Sequence, residues 1–217
     1  MTNPEINLAQ IRSDYQLAAL DEKETGDDPV SFFEKWLLQA QDAKITEVNA
    51  MALSTVDDSG KPHARIVLLK GLENGGFIFF TNYNSAKGRQ MSHHHQAALL
   101  FFWKELERQV RVEGRIDKIS AAASDRYFHS RPKSSQVSAV VSPQSQVISN
   151  RRTLEEKAGQ LDKDYKDKDI PRPENWGGYR LIPSYMEFWQ GRSSRLHDRI
   201  AFEKKEGGLW LRYRLAP

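Results

Sequence analysis

The sequence predicts a mainly β fold with peripheral helices (α+β), its strands arranged as a closed or split barrel. Three observations carry this. Short apolar runs follow one another through tight turns, which favours antiparallel pairing over a βαβ array. Roughly six to eight such runs are present, with helical segments inserted between them. No Gly-x-Gly-x-x-Gly and no Walker sequence occurs, so a nucleotide-type cofactor site, if any, does without a Rossmann turn.

The elements follow in order. Residues 1–28 are polar, with a short helical tract near Leu8 to Leu20 and an acidic stretch from Asp21 to Asp28. They are expected to form a mobile N-terminal segment ahead of a single domain over 29–217. Asp28-Pro29 starts a helix, with Asp as N-cap and Pro at the first helical position. Phe32, Phe33, Trp36, Leu37 and Ala40 then recur at helical spacing, so 29–44 reads as an amphipathic helix. Met51 to Val56 is a strand, Asp57 to Lys61 a turn and His63 to Lys70 the return strand. Phe77 to Thr81 follows a Gly-Gly turn, Ser85 to His93 reads as a short helix, and Ala97 to Trp103 as a buried strand. Glu107 to Ile116 alternates, with Val110, Val112 and Ile116 on one face and Arg111, Glu113 and Arg115 on the other. A helix runs from Ser120 to Arg131-Pro132, and a highly charged one from Ser149 to Asp167. Strands at Tyr179–Gln190, Arg199–Glu203 and Leu209–Leu215 close the chain.

Composition excludes several function classes. The 217 residues are 39% hydrophobic and 10% aromatic, enough for a core. The excess of 32 Lys+Arg over 29 Asp+Glu, a net +3, is too small to argue for nucleic acid and suits a small phosphorylated ligand. The absence of cysteine removes disulfides, thiolate catalysis, Cys-ligated zinc and iron–sulfur clusters. The start Met1-Thr2-Asn3-Pro4-Glu5 lacks a basic, apolar leader, and no apolar run approaches the ~20 residues of a membrane span. A cytoplasmic protein without membrane or nucleic-acid partners is expected.

Candidate chemistry lies in five segments. Phe188 to Arg199 crowds Trp189, Arg192, Arg195, His197 and Arg199 together, aromatic area beside guanidinium forks. Arg195 and His197 are two apart, so an extended backbone would send both to one side. Ala64 to Lys70 puts a cation near each end of an apolar strand; taken alone, these are solvated strand ends on opposite faces. Phe80 to Lys87 offers Thr81 and Ser85 hydroxyls and a lysine in a helix's first turn, an anion site or an ordinary N-cap. Tyr127, Arg131 and Ser135, at spacings of four, could converge on one phosphate from a helix end and the next turn. Gln109 sits on the polar face of the alternating strand. His93-His94-His95 reads as an exposed helix end, since adjacent histidines diverge and ligate one metal poorly; no metal site is expected.

In their joint order and spacing these segments resemble the pyridoxine/pyridoxamine 5'-phosphate oxidase family, over nearly the whole chain from Arg12 to Pro217. The resemblance implies an FMN-binding split β-barrel acting as a homodimer, with two FMN sites at the subunit interface. It implies FMN contacts from Arg65, Ile66, Val67, Leu68, Lys70, Phe80, Thr81, Ser85, Lys87, Gln109, Trp189 and Arg199, with Gln144 and Ser145 reached from the partner subunit. Substrate phosphate contacts fall on Lys70, Tyr127, Arg131 and Ser135, and Arg195 and His197 become the catalytic pair at the reacting end. Arg12 and Tyr15 match a segment that folds over substrate. Ala86 departs from the family's usual Arg-Lys pair, leaving Lys87 alone and Arg89 as an untried substitute. The implied reaction oxidises pyridoxine or pyridoxamine 5'-phosphate to pyridoxal 5'-phosphate in vitamin B6 metabolism. Dioxygen is the electron acceptor, hydrogen peroxide a product, and ammonia is released from the amine. Two alternatives remain: a related FMN oxidase of phenazine-type tricyclic substrates, and a non-catalytic flavin- or pyridoxal-phosphate-binding protein.

Overall fold

The computed structural model describes residues 8–10 and 14–217. Nine strands are described: β1 (Ala50–Val56), β2 (Pro62–Leu68), β3 (Gly71–Glu73), β4 (Gly76–Asn82), β5 (Gln96–Trp103), β6 (Arg108–Lys118), β7 (Trp176–Gln190), β8 (Asp198–Lys204) and β9 (Trp210–Leu215). The α-helices are α1 (Glu22–Thr25), α2 (Pro29–Asp42), α3 (Ala86–His93), α4 (Ala121–Ser130), α5 (Lys133–Val141) and α6 (Arg151–Asp164). The chain divides into two compact units: Met1–Val48 with Phe102–Arg111 and Met186–Pro217, and Asn49–Phe101 with Val112–Tyr185. Strands β5, β6 and β7 contribute residues to both.

In the unit built from Asn49–Phe101 and Val112–Tyr185 the strand order is β2-β1-β5-β6-β7-β4-β3. The β1–β2, β1–β5, β3–β4 and β4–β7 ladders are antiparallel, as short turns require. Asp57 builds the β1–β2 turn: its Oδ1 accepts from the backbone N–H groups of Ser59 and Lys61, each at 3.0 Å, and Gly60 takes φ +82°. Asn74 and Gly75, at φ +51° and +71°, form the two-residue hairpin between β3 and β4. Leu53, Phe77, Phe79, Leu99, Phe101, Val112 and Leu181 are fully buried. A second cluster of Phe128, Val137, Ile170 and Trp176 seats α4 and α5.

In the other unit β8 pairs with β7 and with β9. Asp28 caps α2 as its sequence demands, accepting from Val30 and Ser31 N–H, each at 3.2 Å. The helix buries Phe32, Phe33, Trp36 and Ala40, and Phe188 meets Phe32 and Trp36 with ring centroids 4.7 and 5.4 Å apart. Glu187, 3% exposed, is paired with Arg199 and Arg111 at 2.8 and 3.0 Å.

Four expectations need correction. The tract near Leu8 to Leu20 holds a 3₁₀ turn at Leu8–Gln10 and non-helical chain from Asp14, while the acidic stretch forms α1. The return strand ends at Leu68, leaving Lys70 outside it, so strand-face arithmetic does not apply to that lysine. Ser135 sits in α5 instead of a turn. Arg195 and His197 are not joined by extended chain: Ser193–Arg195 is a 3₁₀ turn, with Ser194 at φ +56° and Arg195 at φ +60°. Among the described residues no helix is long and apolar enough to cross a membrane.

Candidate active site

A cavity of about 520 Å³ opens on the unit containing α3 to α6, a size typical of small-molecule sites. Strand β2 supplies Arg65, Ile66, Val67 and Leu68, and Lys70 follows; β4 supplies Phe80 and Thr81. Lys87 comes from the first turn of α3, Tyr127 from α4, Arg131 from its C-cap, Ser135 from α5, Gln144 from the turn beyond and Trp176 from the start of β7. Among the described residues the lining carries four cations, Arg65, Lys70, Lys87 and Arg131, and no carboxylate. Such a set is electrostatically incomplete without an anion.

Each cation is placed by identifiable partners. Arg65 donates from Nη1 to Leu53 O at 3.1 Å and Thr55 Oγ1 at 2.5 Å, and from Nη2 to Gln90 Oε1 at 3.1 Å. Thr55 and Gln90 are themselves buried and bonded to each other at 2.7 Å, so the guanidinium rests on a fixed polar seat. Lys87 Nζ donates to Thr81 Oγ1 at 3.2 Å and Gln144 Oε1 at 3.3 Å. Burial, and then the charge of Arg65, lower the Lys87 pKa. Gln144 thus reaches Thr81 and Lys87 within its own chain.

The wall opposite in chemistry is aromatic. Phe80 stacks on Tyr127 with centroids 3.7 Å apart and planes 17° off parallel, and Trp176 lies 5.6 Å from Phe80. The Arg131 guanidinium sits 4.7 Å from the Trp176 ring centroid, a cation–π contact. Arg131 Nη1 is buried without a hydrogen-bond partner among the described residues. Burial lowers the Arg131 pKa, and burial raises that of Tyr127 against the opposing charge of Arg131. A buried guanidinium donor left open, beside two hydroxyls of Tyr127 and Ser135, matches a phosphate dianion.

A second group of predicted residues lies on the other unit. Trp189, Tyr15 and His197 cluster there: Tyr15–Trp189 is 5.7 Å edge-on, Tyr15–His197 5.9 Å and Trp189–His197 4.7 Å between centroids. The Arg192 backbone N–H donates to His197 Nδ1 at 3.1 Å. Asp198 accepts from Arg192 Nη1 at 2.8 Å, Arg214 Nη1 at 2.7 Å and Leu20 N at 3.0 Å. Burial opposes its charge, but these bonds outweigh it and hold its pKa below the usual carboxylate range. Arg214 also grips Glu22 with a fork at 2.7 and 2.8 Å, which lowers the Glu22 pKa to about 2. Arg195 is exposed, and Arg199 bonds Glu187 and the Ala216 carbonyl, each at 2.8 Å. Gln109 is half-buried on β6 in this unit.

Ser85, Ser145, Ala86 and Arg89 lie outside the lining of the cationic cavity. Ser85 is fully buried, capping Gly88 N–H at 3.2 Å and donating to Asn82 O at 2.7 Å, and does not line the cavity. Ser145 is exposed at φ +70°, next to the lining but outside it. Ala86 and Arg89 line a separate cavity of about 390 Å³ with Asp57, Asp58 and His93, and Arg89 Nη1 donates to Asn84 O at 2.5 Å. Arg12 lies outside the described residues. Sequence reasoning missed Trp176, Thr55 and Gln90; an aromatic directly before Gly177-Gly178 was the available signal for the first. The other two are legible only once the fold buries them against Arg65.

Comparison with known proteins gives two family matches. A model described as pyridoxamine 5'-phosphate oxidase covers residues 37–163, and one described as the pyridoxine 5'-phosphate oxidase C-terminal dimerisation region covers 176–217. A pyridoxine/pyridoxamine 5'-phosphate oxidase of Leptospira interrogans is 49% identical over 210 residues, 97% of this chain and 98% of its own. One from Synechocystis is 50% identical over 212 residues, 98% of this chain and 99% of its own. Among solved structures, PhzG from Burkholderia lata 383 in complex with tetrahydrophenazine-1-carboxylic acid has a TM-score of 0.87 at 28% identity, covering 93% of this chain and 100% of that one. A pyridoxamine 5'-phosphate oxidase-related, FMN binding protein of Nostoc punctiforme, at TM-score 0.70 and 16% identity over 87% of this chain and 97% of its own, shares the fold. The fold class is the split β-barrel with peripheral helices that the sequence predicts.

Proposed function

Since the chain belongs to the pyridoxamine 5'-phosphate oxidase family, we propose that it binds FMN and oxidises pyridoxine or pyridoxamine 5'-phosphate to pyridoxal 5'-phosphate. The observation that carries this reading is the acid-free cationic cavity, with its open, buried Arg131 donor beside Tyr127 and Ser135. Arg65 and Lys87 fit the FMN phosphate, since each is a cation on a polar seat without a carboxylate partner. Lys70, on the same lining, serves where the two phosphate sites meet. When bound, FMN supplies the two-electron chemistry, with dioxygen as the final acceptor and hydrogen peroxide as product.

The chain's own residues then have separate tasks. Tyr127, Arg131 and Ser135 hold the substrate phosphate with hydroxyls and a guanidinium fork. Arg195 and His197 orient the reacting end, and Trp189, Gln109 and Arg199 contact the flavin. The match of 176–217 to a dimerisation region supports a homodimer, and the reading places the FMN sites at its subunit interface. The test is to incubate purified protein with FMN and each phosphorylated vitamer, following pyridoxal 5'-phosphate and peroxide. Stoichiometric formation of both supports the reading; flavin binding without turnover overturns it.

The likeness to PhzG favours a second reading, oxidation of a tricyclic phenazine-type substrate. The phosphate-matched trio argues against it, because a carboxylated tricycle has no phosphate for Arg131. Turnover of tetrahydrophenazine-1-carboxylic acid in preference to the vitamers would decide for this alternative.

A further inference from the structure

We infer that His197 acts as a hydrogen-bond donor from Nε2 and not as a proton acceptor, because the chain fixes its tautomer. The inference rests on the proposed placement of His197 at the substrate's reacting end. A backbone N–H can only donate, so the 3.1 Å contact from Arg192 N makes His197 Nδ1 the acceptor. The neutral ring must then carry its proton on Nε2. An imidazolium would set a second N–H against that of Arg192, donor facing donor.

The donor that imposes this tautomer is itself held. Arg192 Nη1 bonds Asp198 Oδ2 at 2.8 Å, closing the 192–198 segment on itself, and Asp198 is anchored by Arg214 and the Leu20 N–H. Ser194 and Arg195, both at positive φ without being glycine, make the tight reversal that lets residue 192 meet residue 197. Trp189 flanks the ring at 4.7 Å between centroids, limiting its rotation. Nε2 has no hydrogen-bond partner among the described residues, so its N–H is open to an acceptor atom on a ligand. In this arrangement the Nε2 N–H donates to that atom and polarises or orients it.

The test reads the tautomer directly. Nitrogen-15 NMR of the histidine-labelled holoprotein at neutral pH, with His197→Gln used to assign the signal, should show a pyrrole-like Nε2 bearing a proton and a pyridine-like Nδ1. A proton on Nδ1 overturns the inference whatever the substrate. The second arm compares two variants with the vitamers. Glutamine places an amide N–H near the position of Nε2, whereas asparagine reaches only as far as Nδ1. His197→Gln should keep kcat/KM at least about tenfold above His197→Asn. Equal, severe losses would mean that a base was removed and would refute the donor role. Absence of turnover by the wild-type protein counts against the proposed function instead, and the NMR result alone then decides the inference.

Discussion

At the residue scale the most telling atom is Arg131 Nη1, buried beside Trp176 with no hydrogen-bond partner among the described residues. A hydrogen bond to a charged group contributes about 1.5–3 kcal/mol, so a bound phosphate oxygen there matters strongly. Arg131→Met should raise the KM for either phosphorylated vitamer by at least about tenfold while leaving FMN affinity nearly unchanged. Steady-state kinetics beside a flavin-fluorescence titration separates the two; an unaltered KM would remove Arg131 from the substrate site. Lys87 gives a pH-dependent counterpart. Burial and Arg65 lower its pKa, and only its protonated form attracts a phosphate. FMN affinity should therefore be full below that lowered pKa and fall as pH rises through it, earlier than for a free lysine. Riboflavin, lacking phosphate, should show no such fall and bind at least about tenfold more weakly at neutral pH. Parallel pH profiles for the two flavins would contradict the assignment. The site residues were legible as a set because their joint order and spacing resemble the oxidase family; taken singly, each reads as a solvated strand end, a helix cap or core packing. What was hidden is their support: nothing in the spacing of Thr55 and Gln90 announces that they meet under Arg65.

At the scale of elements, α3 illustrates how local chemistry positions Lys87, a proposed FMN contact. Ser85 caps its N-terminus, and Gly88 lets the preceding turn pack down, since a Cβ there would lie 2.1 Å from the Tyr83 carbonyl oxygen. The Ser85 hydroxyl is fully buried in this role, which leaves it no aim into the cavity. Ser85→Ala should cost about 0.5–2 kcal/mol of stability, the usual range for a lost N-cap. It should weaken FMN only through Lys87, so denaturant melts of apoprotein and holoprotein should shift by similar amounts. A large loss of FMN affinity at unchanged apoprotein stability would instead make Ser85 a direct ligand. The capped helices and alternating strands were readable because their signals are local. Helix α5 was not: Lys133 to Val141 carries three serines and three valines, lacks a side-chain cap, and is helical because Val137 joins the Phe128–Trp176 cluster. The turn at Ser193–Arg195 escaped for a related reason. Its positive φ angles fall on serine and arginine, where sequence preference points to extended chain.

At the scale of the whole molecule the question is how many chains complete the site. Ile66 lines the cavity yet is 67% exposed, and Leu196, beside the proposed catalytic pair, is 71% exposed. Ile66, a ligand-matched position, and Leu196 are apolar side chains that a subunit contact would cover. Leu211 on β9, 49% exposed, falls within the region matching a family dimerisation segment. If FMN sites lie at that interface, binding of flavin and of subunits is linked: each ligand bound only by the dimer stabilises the dimer. The holoprotein should run as a dimer by light scattering, and saturating FMN should lower the concentration at which it dissociates. On dilution or in mild denaturant, release of flavin fluorescence should track the appearance of monomer. Riboflavin, without the phosphate proposed to sit between Arg65 and Lys87, should stabilise the dimer less than FMN does. A monomer that retains one FMN per chain would break the linkage and confine each site to a single subunit.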